Sequence, residues 1–342
     1  MTVFFIPLML YFFCALSLKK IIVFFRNTSL IDMPTERSNH TSPTPKGAGI
    51  IVIPFIIFSS ILVFFLNEIL DVKWIVFFVS CFILMIISFI DDLYNLPSTL
   101  RLIVHFFCVS LSLFFLKEEI LEYSQNLEIF KILGLGPEID FFIVTFFLIF
   151  FWLWIINLFN FMDGMDGITS IQVIFLALTT NTLSLIGYLN QNFQLLSILI
   201  LAAFLAFYNF NKPPARIFLG DVGSIPIGFL CGLIIINGML SFNVFVPLCI
   251  IIMYYLVDST LTLLLRLIRG KNIFKAHSDH FYQRILRSGQ SHYQVLLKFI
   301  ALSFLLFIFS ILSTQFFLLS LSLAFTSTIG LIIYFWKKGK NE

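Results

Sequence analysis

Long apolar runs, interrupted by short polar stretches, dominate this chain. Eleven of them are long enough to cross about 30 Å of hydrocarbon as a helix. They cover residues 3–24, 48–66, 74–90, 99–116, 140–158, 168–187, 194–209, 222–240, 244–265, 294–312 and 317–336. The pattern predicts an all-α polytopic integral membrane protein with about 11 transmembrane helices in one transmembrane domain over residues 1–342. The first run has no small-residue cleavage site behind it, and Lys19-Lys20 follow rather than precede most of it, so it reads as a retained span.

Alternating spans sort the loops onto two sides. One side holds the loops near 25–47, 91–98, 159–167, 210–221 and 266–293 and the C-terminus. The other side holds Lys73, Lys117 and Lys131, while the remaining eighteen of 21 Lys and Arg fall on the first side or on span ends facing it. The positive-inside rule makes the first side cytoplasmic, with the N-terminus outside. The loops of the first side therefore face the cytoplasm.

Composition excludes a soluble globule: 60% of residues are hydrophobic and 11% charged, against about 25% charged in soluble domains. The five cysteines all lie in apolar spans without a CxxC pair, so neither a disulfide framework nor a thiolate metal site is indicated. Acids are more telling. Asp91, Asp92, Asp163, Asp166, Asp221 and Asp279 lie on the basic side, whereas Glu68, Glu118, Glu119, Glu122 and Glu128 lie on the other. Anchoring needs only basic residues, so short carboxylates beside them point to a metal and phosphate site.

Three acidic motifs carry that chemistry. Asp91-Asp92 end the third span, where two carboxylates oppose the helix dipole and suit a general base or Mg²⁺. Asn157, Asn160 and Asp163 are spaced i, i+3, i+6 at the end of the fifth span, followed by Asp166 and two Asp-Gly steps that permit close ligand approach. The loop from Asn211 to Ser224 contains Gly220-Asp221-Val222-Gly223-Ser224, in which Ser224 is placed to cap the next helix and leave backbone N–H groups for an anion. Each has a plainer reading as a helix end or capped turn.

The remaining polar groups are less specific. Arg101 opens the fourth span, as an anchor, a partner of the aspartates or a phosphate ligand. Asp258 lies two turns before Arg266, which permits an ion pair. The loop at 266–293 holds His277 and His280 at i, i+3 among Arg284 and other basic residues, which suits phosphate better than zinc. His105 and His292 read as packing or interface histidines.

Taken in order from Asp32 to Arg284, these motifs resemble the polyprenyl-phosphate N-acetylhexosamine-1-phosphate transferases (glycosyltransferase family 4), which include the phospho-MurNAc-pentapeptide translocases. The resemblance implies that Asp91 and Asp92 form the catalytic pair, one of them deprotonating a lipid phosphate. It implies that Asn157, Asn160 and Asp163 belong to the active site and that Asp166 contacts uracil. Asp221 would ligate Mg²⁺, or Mn²⁺ in its place. Asn211 and Phe218 would line the nucleotide pocket, and His277 and His280 would bind phosphate. The strings Pro-Thr-Pro-Lys-Gly-Ala-Gly and His-Ser-Asp-His-Phe-Tyr-Gln and the eleven-span count depart from the pentapeptide branch. They are more similar to enzymes that begin O-antigen or related surface-polysaccharide assembly, and among these the histidine loop most resembles those using UDP-N-acetyl-fucosamine or UDP-N-acetyl-quinovosamine.

The implied reaction is attack of undecaprenyl phosphate on the β-phosphorus of a UDP-N-acetylhexosamine, with release of UMP. Arg37, Lys46, Arg216 and Arg284 are the cations expected to neutralise the crowded phosphates. A one-step route and a two-step route through an acyl-phosphate on Asp91 or Asp92 are both open. The implied partners are the prenyl phosphate, the nucleotide sugar, the lipid bilayer and a possible second copy in a homodimer, with no nucleic acid. The rival reading of another class is a secondary transporter or lipid flippase, which would place its charges near the bilayer midplane.

Overall fold

The computed structural model describes all residues except 1, 27, 29, 35–41, 273–276 and 340–342, and the side chains of 2–4. Arg37 therefore lies outside the described residues. The elements run α1 (Thr2–Phe25), β1 (Ile31–Asp32), β2 (Thr44–Pro45), α2 (Gly49–Leu66), α3 (Val72–Tyr94), α4 (Ser98–Phe114), α5 (Lys117–Asn126), α6 (Glu128–Leu133) and α7 (Pro137–Phe161). They continue as α8 (Ile168–Leu185), α9 (Gln191–Asn211), α10 (Asp221–Leu240), α11 (Phe245–Ile251), α12 (Met253–Ile268), α13 (Phe281–Arg287), α14 (His292–Leu312) and α15 (Phe317–Lys338).

Among the described residues nine helices are long and apolar enough to cross a membrane, and two bent pairs bring the number to eleven. The fourth predicted span is α4, bent by 74° into α5. The polar Lys117-Glu118-Glu119 sequence explains the departure, because these side chains leave the hydrocarbon for water. The ninth predicted span, read as continuous over 244–265, is broken into α11 and α12 at an angle of 71°. The break frees carbonyls inside the bundle, and neighbouring side chains bond to them. Buried Gln172 on α8 donates to Ile251 O at 3.0 Å, and Ser310 on α14 donates to Pro247 O at 2.7 Å.

α10 is the central post. Its span is 94% buried, whereas that of α15 is 22% buried. Small residues make this possible. A Cβ on Gly232 would overlap the Trp152 indole of α7, and one on Gly228 would sit 3.0 Å from Ile156 Cα. Nearer the start of α10, a Cβ on Gly49 would overlap the backbone of Gly223, so α2 and α10 cross with almost no side chain between them. The outer helix surfaces expose Phe58, Phe65, Phe142 and Phe147, as a lipid-facing surface should.

The first loop is sewn to the fourth on the side predicted to be cytoplasmic. β1 pairs antiparallel with β2, and Lys46 bridges in parallel to Phe218. Phe218 N donates to Pro45 O at 2.8 Å, and Gly47, Ala48 and Gly49 donate to the carbonyls of Phe218 and Leu219 at 3.0–3.1 Å.

Candidate active site

That seam opens into a cleft of about 260 Å³. Every one of the five predicted loops lines it: Asp32 and Lys46 from the first, Asp92 from the second, and Asn160, Asp163, Gly164, Met165 and Asp166 from the third. Phe218, Gly220 and Asp221 come from the fourth, and Gln283 and His292 from the last.

The aspartate pair does not act as a pair of adjacent oxygens. Successive helix residues diverge by about 100°, and each carboxylate has its own cation. Asp92 lines the cleft, meets Lys46 Nζ at 3.1 Å and accepts from Val222 N at 3.2 Å. Asp91 is buried outside the cleft lining, bonded to Arg101 and to Leu96 N at 2.8 Å. The same Arg101 nitrogen reaches Asp221 at 3.3 Å, so the arginine ties two motifs together. Lys46 stays charged: burial works against its charge, but Asp92, with Asp221 and Asp32 further off, outweighs that and raises its pKa.

Gly220, at φ +76°, lets Asp221 open α10 beside Asp92, since a Cβ there would lie 3.0 Å from Asp92 Oδ2 and 3.1 Å from Gly47 Cα. The expected anion site at this helix start is closed. Val222 N goes to Asp92, Gly223 N and Ser224 N both go to Gly220 O at 2.9 Å, and Ser224 accepts from Asn160 at 3.1 Å instead of capping. Asn160 also bonds the Asp221 side chain.

The third motif is divided. Asn157 turns back to its own helix, donating to Leu153 O at 2.7 Å, and does not line the cleft. α7 ends at Phe161, so Asp163 stands beyond the helix rather than on the face predicted for it. Burial pushes its carboxyl up to about 8; a bond from Thr169 opposes the rise, and Asp221 and Asp92 add to it. Asp166 accepts from Ala215 N at 3.0 Å and lies 3.1 Å from His292 Nδ1. Asn211 is consumed in scaffolding: it accepts from Gly167 N and Ser170 Oγ, donates to Ile217 O at 3.1 Å, and is absent from the cleft lining.

Other expectations are corrected by geometry. Arg216 is exposed, bonds Asn209 O at 2.9 Å and stacks over Phe210. Arg284 bonds Asp279 O at 2.7 Å and covers Phe281. Neither lines the cleft, where Lys46 is the one Lys or Arg among the described residues. His277 and His280 share no helix face: His277 precedes α13, His280 is its N-cap, and their rings stack at 5.2 Å. Burial, aided by His280 and Arg266, lowers the His277 pKa to about 4, so the ring is neutral at physiological pH. His280 is 2% exposed and holds Asp258 at 3.0 Å. Asp258 therefore does not pair with Arg266, which binds Asp279 instead.

The sequence reading gave no role to three lining residues. His292 and Gln283 reach the cleft only through tertiary packing, and Asp32 sits in a two-residue strand without a distinctive local signal.

Among the described lining residues, five carboxylates thus accompany one lysine. Burial is the main cause of the raised Asp163, and the nearby Asp221 and Asp92 carboxylates add to it, which a bound cation would offset. Among the described residues no three His, Cys, Asp or Glu form a ready-made cage. Mg²⁺ takes one or two carboxylates and completes its shell with water and substrate phosphates, and Asp163 and Asp221 are two carboxylates of this lining.

Comparison with known proteins shows what the chain is similar to. The family model described as Glycosyl transferase family 4 matches residues 74–239, just under half of the chain and including Asp91, Asp92, Asn160, Asp163, Asp166 and Asp221. The chain is 23% identical over 282 residues to a probable undecaprenyl-phosphate N-acetylglucosaminyl 1-phosphate transferase of Bacillus subtilis, covering 77% of this chain and 71% of the relative. It is 36% identical over 98 residues to a phospho-N-acetylmuramoyl-pentapeptide-transferase of Streptococcus mutans, 27% of this chain and 28% of that one. A Streptococcus pneumoniae protein of the same name is 26% identical over 166 residues, about half of each chain (47% and 48%). With its helical membrane bundle and acidic cleft, the chain is similar to glycosyl transferase family 4 over residues 74–239, and its relatives mark it as a phosphoglycosyltransferase.

Proposed function

We propose that this protein transfers an N-acetylhexosamine-1-phosphate from a UDP-sugar to undecaprenyl phosphate, at the cytoplasmic face of a bacterial inner membrane. The product would start a surface polysaccharide such as O-antigen. The observation that carries this reading is the acidic cleft at the membrane edge, built from all five loops with Lys46 as its described cation. The long match to the Bacillus subtilis relative supports a sugar-1-phosphate transferase over a pentapeptide transferase, because the pentapeptide relatives align over much shorter stretches.

The acceptor phosphate attacks the β-phosphorus of the donor. A new P–O bond forms as the bond to UMP breaks, and UMP leaves with the electron pair. A prenyl phosphate is largely ionised near neutral pH, its second pKa being about 6. A strong base is therefore dispensable, and alignment and charge neutralisation dominate. Lys46, held by Asp92, offers its ammonium to a phosphate oxygen. Arg101 holds Asp91 and Asp221 in place, and Asn160 orients Asp221. Phe218 and Asp166 supply an aromatic ring and a carboxylate for the uridine. Asp221 and Asp163 are the residues to hold Mg²⁺, which when bound neutralises the diphosphate and its leaving group.

The test is UMP release by purified protein given undecaprenyl phosphate, Mg²⁺ and a panel of UDP-N-acetyl sugars. Release should depend on lipid, Mg²⁺ and Asp221, and the best donor names the sugar. Folded protein that releases no UMP from any donor overturns the proposal.

A further inference from the structure

Asp258 is fully buried in α12, just beyond the break in the ninth span, and four groups converge on it. Tyr254 donates to Oδ2 at 3.0 Å. Oδ1 receives Thr262 at 3.2 Å, His280 Nδ1 at 3.0 Å and the backbone N–H of Phe281 at 3.3 Å. A carboxylate only accepts, so the His280 nitrogen facing it carries the proton. Two of these groups belong to α12 itself, but His280 and Phe281 begin α13. Asp258 is thus the rivet between a membrane helix and the last loop on the charged side.

What α13 carries explains why the rivet matters. Tyr282 donates to Phe161 O at 3.1 Å and accepts from Gly164 N at 3.1 Å. Gln283 caps His280 N with its carbonyl at 3.3 Å and, like Gly164, lines the cleft. A Cβ on Gly164 would overlap the Tyr282 hydroxyl, so the wall and the third loop meet without slack. We propose that Asp258 is a positioning residue: through His280 and Phe281 it holds the α13 wall, with Tyr282 and Gln283, against Gly164. Among the described residues this wall presents an uncharged amide to the cleft, which suits an uncharged part of the nucleotide-sugar donor rather than a phosphate or a prenyl chain. The inference rests on the transferase reading only for which substrate feels the wall.

Two readouts on the full-length protein separate the two ideas. In Asp258→Asn, hydrogen exchange of the 281–284 amides should quicken about tenfold or more, as expected for loss of charge-assisted bonds, while amides of α7 and α10 keep their rates. Donor KM should rise by about tenfold, with acceptor KM within about twofold of wild type. Adding His280→Gln to Asp258→Asn should change donor KM by less than about twofold, because both act through one contact. Should Asp258→Asn fail to fold, Thr262→Val removes one bond to Oδ1 and keeps the charge, and should move both readouts the same way by less. Unchanged exchange at 281–284, or a fall in kcat with both KM values unchanged, overturns the positioning role. A wild-type protein that releases no UMP overturns the transferase reading and leaves the exchange result to judge Asp258 by itself.

Discussion

Two acidic clusters lie on the same side of this membrane protein and are built on opposite principles. Around Asp258 every carboxylate bond has a donor, the residue is sealed from solvent, and the result is a joint. Among the described residues lining the cleft, Asp32, Asp92, Asp163, Asp166 and Asp221 outnumber Lys46, and burial, with Asp221 and Asp92 adding to it, pushes Asp163 up to about 8. A balanced buried charge holds parts together; an unbalanced, accessible one waits for a ligand that brings the missing charge. The same residue type serves both ends, and whether it lines the open cleft or is sealed from solvent tells them apart.

The comparison can be broken most directly at Asp221. Asp221→Asn should lower UMP release by about 10²-fold or more, with unchanged thermal stability in detergent. Arg101→Lys should cost less, and equal losses would count against Asp221 as the cation's ligand. Lys46→Gln comes next: removing the cation at Asp92 should lower kcat/KM about 10- to 100-fold, through loss of a charge-assisted contact. Gly220→Ala tests the geometry between the two. Its φ of +76° and the nearby Asp92 and Gly47 leave no room for a methyl group. Such a residue should cost about 1–3 kcal/mol, seen as a lower melting temperature together with reduced activity. The smallest effect is expected at His277. Burial holds its pKa near about 4, so the ring is neutral above that pH and gains charge only as pH falls through it. His277→Gln should leave the pH profile of UMP release unchanged between about pH 6 and 8, and a profile that moves would return the ring to phosphate binding.

Hydropathy made the spans legible because crossing hydrocarbon needs long apolar runs whatever their neighbours do. It could not show that the ninth span breaks, because α11 and α12 are apolar on both sides of Ile252 and the freed carbonyls find Gln172 and Ser310 on other helices. The site followed the same rule. Asp92, Asn160, Asp163, Asp166, Phe218, Asp221 and Lys46, placed by motif, do line one cleft. Spacing failed where the partner was distant in the chain. Asp258 and Arg266 lie on similar helix faces, yet each is bonded to the last loop, to His280 and Asp279 respectively. His292 looked like packing because Asp166, its partner, is far upstream. Asn211 and Asn157 matched motif positions, but backbone groups already occupy their amides.

The seam between the first and fourth loops has a consequence for how the protein is made. Gly47, Ala48 and Gly49 emerge from the ribosome long before Phe218 and Leu219, whose carbonyls they need. Gly49 likewise has nothing to cross until Gly223 arrives. Spans one to seven must therefore enter the bilayer with the first loop unpaired, and insertion of α10 is the step that assembles the cleft. A nascent chain arrested before that step should be fully membrane-inserted and chemically silent.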